Sequence, residues 1–137
     1  MYNRLKEPSM KTIDKHAEQR LRSESNIWVA TLRPDGRPHL TPTWFAWQDG
    51  KAYICIDPAS VKARNLAHKA QIALALEDGS APIILEGVAR QMNGADRPQG
   101  ALDEFKRKYG WDIASDGQYS LLVEITPTKV LNWGGDE

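Results

Sequence analysis

The chain has one cysteine, Cys55, among 137 residues. A single thiol excludes an internal disulfide framework and suits a reducing cytoplasm, the expected location. Histidine is scarce as well. His16, His39 and His68 lie far apart, and with one cysteine they give neither zinc-finger spacing nor a helical His pair, so no metal site is expected. Charge of one sign is not in excess: Lys plus Arg is 18 and Asp plus Glu is 18. Nucleic-acid and membrane-surface partners favour a basic excess, so neither is expected. No apolar run approaches the roughly 18 residues of a membrane span. The segment Met1 to Lys15 is polar and of mixed charge, with no apolar core of a secretory signal, and residues 1–11 are expected to form a flexible N-terminal arm. Neither G-x-G-x-x-G nor a P-loop occurs. The carboxylates show no pair with acid–base logic, so no catalytic residue is assigned. An enzyme built on this chain would take its reactivity from a cofactor, with the protein supplying position and electrostatics.

What is present is one domain's worth of chain, 1–137, with 41% apolar and 26% charged residues, enough to bury a core without staples. Five tryptophans are many for this length, and such surface often serves flat ligands or interfaces. Ile13, Ala17 and Leu21 recur every four residues, predicting a helix over 12–25 with Thr12 as N-cap. Strands are predicted over 26–33, 37–47 and 51–57, joined by Pro34-Asp35-Gly36 and Gln48-Asp49-Gly50 turns. A short helix over 61–69 follows, capped by Ser60, or by Asp57 with Pro58 just inside. Strands over 71–77 and 82–92 come next, then a helix over 97–109 stopped by Gly110. The last strands are predicted over 119–126 and 129–133, split by Pro127. Six or seven strands with short helices and no βαβ alternation predict a mainly β fold, an antiparallel barrel.

Two stretches point to chemistry. The run 37–47 holds Pro38 and Pro42, which cannot donate to a ladder, so it is an edge, a bulge or a place where pairing breaks. Backbone groups freed there, flanked by Thr41, Thr43, Trp44 and Phe45, can face the polar rim of a planar ring; a strand edge blunted against aggregation explains the prolines equally well. The second stretch, Asp57-Pro-Ala-Ser-Val-Lys-Ala-Arg-Asn-Leu66, sets Ser60, Lys62 and Arg64 at a helix start directly after a strand. Unpaired amides and partial positive charge make that position ready for phosphate, although a solvated basic helix has the same composition. Cys55 reads as core packing, His39 as an ordinary surface residue or one bordering the site, and Trp133 as a core lid or a ring contact.

The ordered set Trp28-Val-Ala-Thr-Leu-Arg-Pro-Asp-Gly-Arg-Pro-His39, Thr41-Pro-Thr-Trp-Phe45, Tyr53-Ile-Cys-Ile-Asp57, Ser60-Val-Lys-Ala-Arg-Asn-Leu66, Ile84-Leu-Glu-Gly-Val-Ala89 and Ile125-Thr-Pro-Thr-Lys-Val-Leu-Asn-Trp133 resembles the FMN-binding split β-barrel superfamily of pyridoxamine 5'-phosphate oxidase-like proteins. It is most similar to the flavin- and deazaflavin (F-420)-dependent oxidoreductase branch. The resemblance spans about residues 12–133. It implies a homodimer with two cofactor sites at the interface. It implies that Thr41, Thr43, Trp44 and Phe45 line the ring of F-420 or FMN. Ile56, Asp57, Ser60, Lys62, Arg64 and Asn65 would hold the phosphate end, and Trp133 would approach from the partner. A hydride moving to or from a small unsaturated organic substrate is the implied reaction. Two features depart from the pyridoxal phosphate-forming oxidase: Ser60 is followed by Val61 and Lys62 rather than an Arg-Lys pair, and only Gly-Gly-Asp-Glu follows Trp133 where that oxidase carries a basic segment. True pyridoxamine-phosphate oxidase activity is accordingly not expected. A non-catalytic flavin- or haem-binding carrier on the same barrel is the competing expectation. A single-strand nucleic-acid barrel with tryptophan platforms is a third, disfavoured by the zero net charge.

Overall fold

Seven strands and three α-helices make up the computed structural model, which describes residues 13–133. The order along the chain is α1 (Lys15–Ser23), β1 (Ile27–Leu32), β2 (Pro38–Thr43), β3 (Ala46–Gln48), β4 (Lys51–Ile56), α2 (Val61–His68), β5 (Gln71–Leu76), β6 (Ile83–Met92), α3 (Gln99–Tyr109) and β7 (Leu121–Asn132). All neighbours in the sheet are antiparallel, in the order β2-β1-β5-β6-β7-β4-β3. The two margins of this sheet, β2 and β3, are consecutive in sequence and separated only by Trp44 and Phe45. Three Cα–Cα steps of about 3.8 Å bridge them, so the margins stand within about 11 Å at that end. The sheet must therefore curl until its edges nearly meet, yet β2 and β3 share no ladder. This is a split barrel.

The core follows from strand alternation. In β1, Ile27 and Val29 face inward and Trp28 outward. The barrel interior gathers twenty buried side chains, including Leu21, Ile27, Phe45, Ile54, Leu74, Leu85 and Val123. A second core lies outside the sheet, where Phe105 and Ala101 of α3 cover Tyr53, Cys55, Met92 and Leu122. Cys55 packs as the sequence predicts. Its thiol donates to the Tyr119 carbonyl at 2.8 Å, and burial pushes it up to about 12.

Several boundaries differ from the sequence expectation. The predicted strand 37–47 is two strands, because the Trp44–Phe45 step leaves one sheet margin and joins the other. The predicted split at Pro127 does not occur. β7 runs unbroken through it, because a bulge between Glu86 and Gly87 absorbs the proline. Thr128 is the extra residue there, its hydroxyl donating to the Glu86 carbonyl at 3.2 Å. A Cβ on Gly87, opposite Pro127, would stand 2.5 Å from the Thr126 carbonyl oxygen, so only glycine fits. The cap of α1 is Asp14, accepting from the Ala17 amide; Thr12 and residues 1–11 lie outside the described residues. α3 begins at Gln99, after Pro98, rather than at Arg97. The Asp49-Gly50 turn and the Gly110 stop stand where predicted, all three residues at positive φ.

Glu104 ties α3 to α1. It is 9% exposed, accepts from Arg107 at 2.8 Å and lies 3.5 Å from Arg22. The Arg107 guanidinium holds its carboxyl below the unfolded value near 4.5. A depressed carboxylate pKa contributes stability that is present above the unfolded value and lost as pH falls through the folded one. Melting temperature followed from pH 7 to pH 3 should therefore fall more steeply below about 4.5 in the parent than in Glu104→Gln. Equal slopes would remove Glu104 from the acid response.

Candidate functional site

Strand β2 alternates, with His39, Thr41 and Thr43 half-buried on its inner side and Pro38, Leu40 and Pro42 exposed on its outer side. As a margin strand it has no neighbour beyond β1, so the inner row looks into the slot of the barrel. Helix α2 stands against this row. Its Lys62 ammonium donates to the Thr41 hydroxyl at 2.9 Å and is half-buried, which lowers its pKa from the ordinary lysine value. His39 lies beside it. Burial first, then the Arg33 and Lys62 charges, lower the imidazole pKa, which favours the neutral ring. Its Nδ1 is enclosed without a hydrogen-bond partner. A buried polar atom usually finds a partner, so this ring nitrogen, beside an ammonium and a guanidinium, marks an unsatisfied spot next to Lys62 and Thr41.

The start of α2 adds donors. Ser60 is the N-cap, its hydroxyl oxygen accepting from the Ala63 amide, while the hydroxyl proton stays available. The amides of Val61 and Lys62 have no intrahelical acceptor, as at any helix start. Arg64 is exposed and borders two grooves, one on each side of the helix. One groove, about 420 Å³, also takes in Arg33, Arg37 and Asp35 from the β1–β2 turn, where Arg37 and Asp35 pair at 2.8 Å. The other, about 560 Å³, runs past Pro58, Gln91, Asn93 and Ser120. Lys62, Arg64, Arg33 and Ser60 make this end cationic and rich in donors, a setting that suits an anion.

The predicted residues divide. Thr41, Lys62 and Ser60 converge, with Thr43 on the same face of β2. One Asp57 carboxylate oxygen accepts from the Ala59 amide at 2.8 Å and shapes the turn into α2. Ile56 is 2% exposed and Asn65 1%. Asn65 donates to the Thr31 hydroxyl at 3.0 Å, pinning α2 to β1. Phe45 is fully buried in the barrel core, so its side chain does not reach the slot. Only its backbone stands at the crossing. Trp44, 47% exposed, stacks on Tyr109 with centroids 4.4 Å apart and planes 3° off parallel. Trp133 directly follows β7 and is 46% exposed. Sequence reasoning missed Arg33, which hairpin pairing brings to the His39 end of β2, and Lys108 and Tyr109, which reach the crossing from α3. Among the described residues no cluster of His, Cys, Asp and Glu suits a metal ion. No described helix is long and apolar enough to cross a membrane.

Solved structures share this architecture. An F420 reductase aligns with TM-score 0.67 at 22% identity, covering 83% of this chain and 94% of its own. A conserved hypothetical protein from Mycobacterium tuberculosis aligns with TM-score 0.75 at 24% identity, covering 94% and 89%. HutZ, a heme storage protein from Vibrio cholerae, aligns with TM-score 0.71 at 16% identity, covering 90% and 98%. At these identities the likeness establishes the fold alone. No curated protein sequence matches. The sequence profile of pyridoxamine 5'-phosphate oxidase matches residues 13–134, nearly the whole described chain. With the seven-stranded split barrel, that match places the chain in the pyridoxamine 5'-phosphate oxidase family.

Proposed function

We propose that this chain is an oxidoreductase that binds F-420 or FMN at the interface of two copies and moves a hydride to or from a small unsaturated organic substrate. The observation that carries the reading is the meeting of Lys62 with Thr41 beside the orphaned His39 nitrogen, at the start of α2. Lys62, Arg64 and Ser60 would hold the phosphate; Thr41, Thr43 and the crossing at Trp44 would position the ring. When bound, the cofactor supplies the hydride chemistry. The chain's own part is to bind, to orient and to exclude water. It offers no free cysteine nucleophile, since Cys55 is buried and protonated well above neutral pH.

A second copy is supported by what α3 leaves bare. Among the described residues it covers the outer face of the sheet over β3, β4, β7 and β6. Over β1 and β2 the outer face shows Trp28, 38% exposed, and Leu40, 60% exposed, next to Pro42. Exposed apolar side chains grouped on a β surface in this way support the reading of an interface there. With two copies joined there, Trp133 of the partner subunit would be brought towards the slot.

The test is titration of the purified protein with FMN and with F-420, read by quenching of cofactor fluorescence, with size-exclusion chromatography alongside. Saturable binding of either one by a dimer, followed by hydride exchange with a reduced donor, is the expected result. A Soret band formed with haemin, and no quenching with either cofactor, would replace the reading with that of a haem carrier.

A further inference from the structure

The barrel's seam is held by side chains rather than by a ladder. At the Trp44–Phe45 crossing the backbone leaves one margin for the other, so its groups have no strand partner. The Phe45 amide donates to the Tyr109 hydroxyl at 3.0 Å. The Tyr109 hydroxyl in turn donates to the Ser25 carbonyl at 2.7 Å, with the Phe45 carbonyl 3.0 Å away. The Phe45 carbonyl accepts from the Lys108 ammonium at 2.9 Å. That ammonium also reaches the Leu21 carbonyl at 3.4 Å and sits 3.6 Å over the Phe45 ring. Arg107 donates to the Arg22 carbonyl at 3.2 Å. Three consecutive residues at the end of α3 thus satisfy the end of α1 and the crossing together. The same Tyr109 ring is the surface on which Trp44 stacks, and Trp111 meets Trp44 edge-on at 5.8 Å.

We infer that Lys108 and Tyr109 are positioning residues for the proposed ring site: they lock the crossing and thereby fix Trp44 at the mouth of the slot. This rests on the proposed reading only where it concerns the cofactor; the lock on Trp44 belongs to the chain alone. Burial lowers Lys108 to about 8. The groups facing its ammonium are Arg107 and Glu104 on α3 and Glu24, the residue that caps the end of α1, with the Tyr109 phenol held up at about 12. The crossing itself contributes only Trp44 and Phe45. Loss of the Lys108 proton removes the charge over the Phe45 ring and weakens the bond to its carbonyl. The crossing should then loosen as pH rises through about 8.

The experiment uses the full chain labelled with 5-fluorotryptophan, its fluorine spectrum assigned at Trp44 by Trp44→Phe. Lys108→Met keeps the apolar stem and removes the donors. Tyr109→Phe keeps the stacking ring and removes the hydroxyl. In both, the Trp44 resonance should move or broaden while the Trp28 resonance stays. Affinity for FMN or F-420 should fall about tenfold, and Lys108→Arg should recover it. Raising the pH from 7 to 9.5 should shift the Trp44 resonance in the parent and not in Lys108→Arg. A Trp44 resonance unmoved in both variants overturns the lock. A moved resonance with unchanged cofactor affinity overturns the positioning role. A parent that binds neither cofactor defeats the proposed function instead, and the fluorine spectrum still decides the lock. Far-UV circular dichroism confirms folding; should Lys108→Met unfold, the Tyr109→Phe and Lys108→Arg arms carry the decision.

Discussion

Replacing Lys62 and Arg64 together by alanine is expected to weaken FMN or F-420 binding by roughly 2–5 kcal/mol, about 30- to 5,000-fold. Each cation would supply a charge-assisted bond to phosphate, worth about 1.5–3 kcal/mol. The residues are two apart on α2 and so point to different sides, which means they converge only on something seated at the helix start. The fold should survive. Arg64 is exposed, and Lys62 gives up one bond, to the Thr41 hydroxyl. The melting temperature should therefore change by a few degrees at most, while fluorescence titration registers the full loss. Salt should matter less in the variant, because screening acts on the removed charges. Affinity equal to the parent's would put the phosphate elsewhere, away from both grooves that Arg64 borders.

Phe105→Ala is expected to cost about 3–5 kcal/mol, a large part of the roughly 5–15 kcal/mol that holds a domain of this size. Phe105 is the largest fully buried side chain of α3 and lies at the centre of its packing on the outer sheet. Its ring also meets Trp111 edge-on at 5.5 Å and lies 6.2 Å from Tyr109. Its fellow apolar anchors on α3 are the small Ala101 and the partly buried Leu102 and Tyr109, which leave a large void when the ring is removed. Calorimetry should show a melting point lowered by about 10 °C or more. Lys106→Ala on the exposed side of the same helix should stay within about 0.5 kcal/mol. A similar small loss for Phe105→Ala would mean that α3 is not what seals the second core.

The features legible beforehand are the ones decided locally. Asp49-Gly50 makes its hairpin, Ser60 caps α2 and Gly110 ends α3, since each depends on a few neighbouring dihedral angles. The break at Trp44–Phe45 carries no local sign: residues 43–47 hold no glycine or proline. It is imposed by curling of the sheet and satisfied by Lys108 and Tyr109, far off in sequence. Pro127 was misleading for the same reason, because Gly87, which makes room for it, is in another strand. In the candidate site, Lys62 and Thr41 were each identifiable, but their contact depends on α2 folding back over β2. Residue type alone did not distinguish Asn65, pointed inward to Thr31, from a solvent-facing amide.

The two prolines of β2 carry one more implication. A residue without an N–H cannot donate towards β1, so Pro38 and Pro42 must turn their nitrogens away from it, leaving Leu40 with the outward amide of that trio. The Pro38 carbonyl is already taken by Arg33 at 2.7 Å. A strand approaching from that side would find almost nothing to zip onto, whether it came from β3 or from a stranger chain. The cylinder is thus prevented from welding shut, and the vacancy along its flank is written into the covalent chemistry of imino acids.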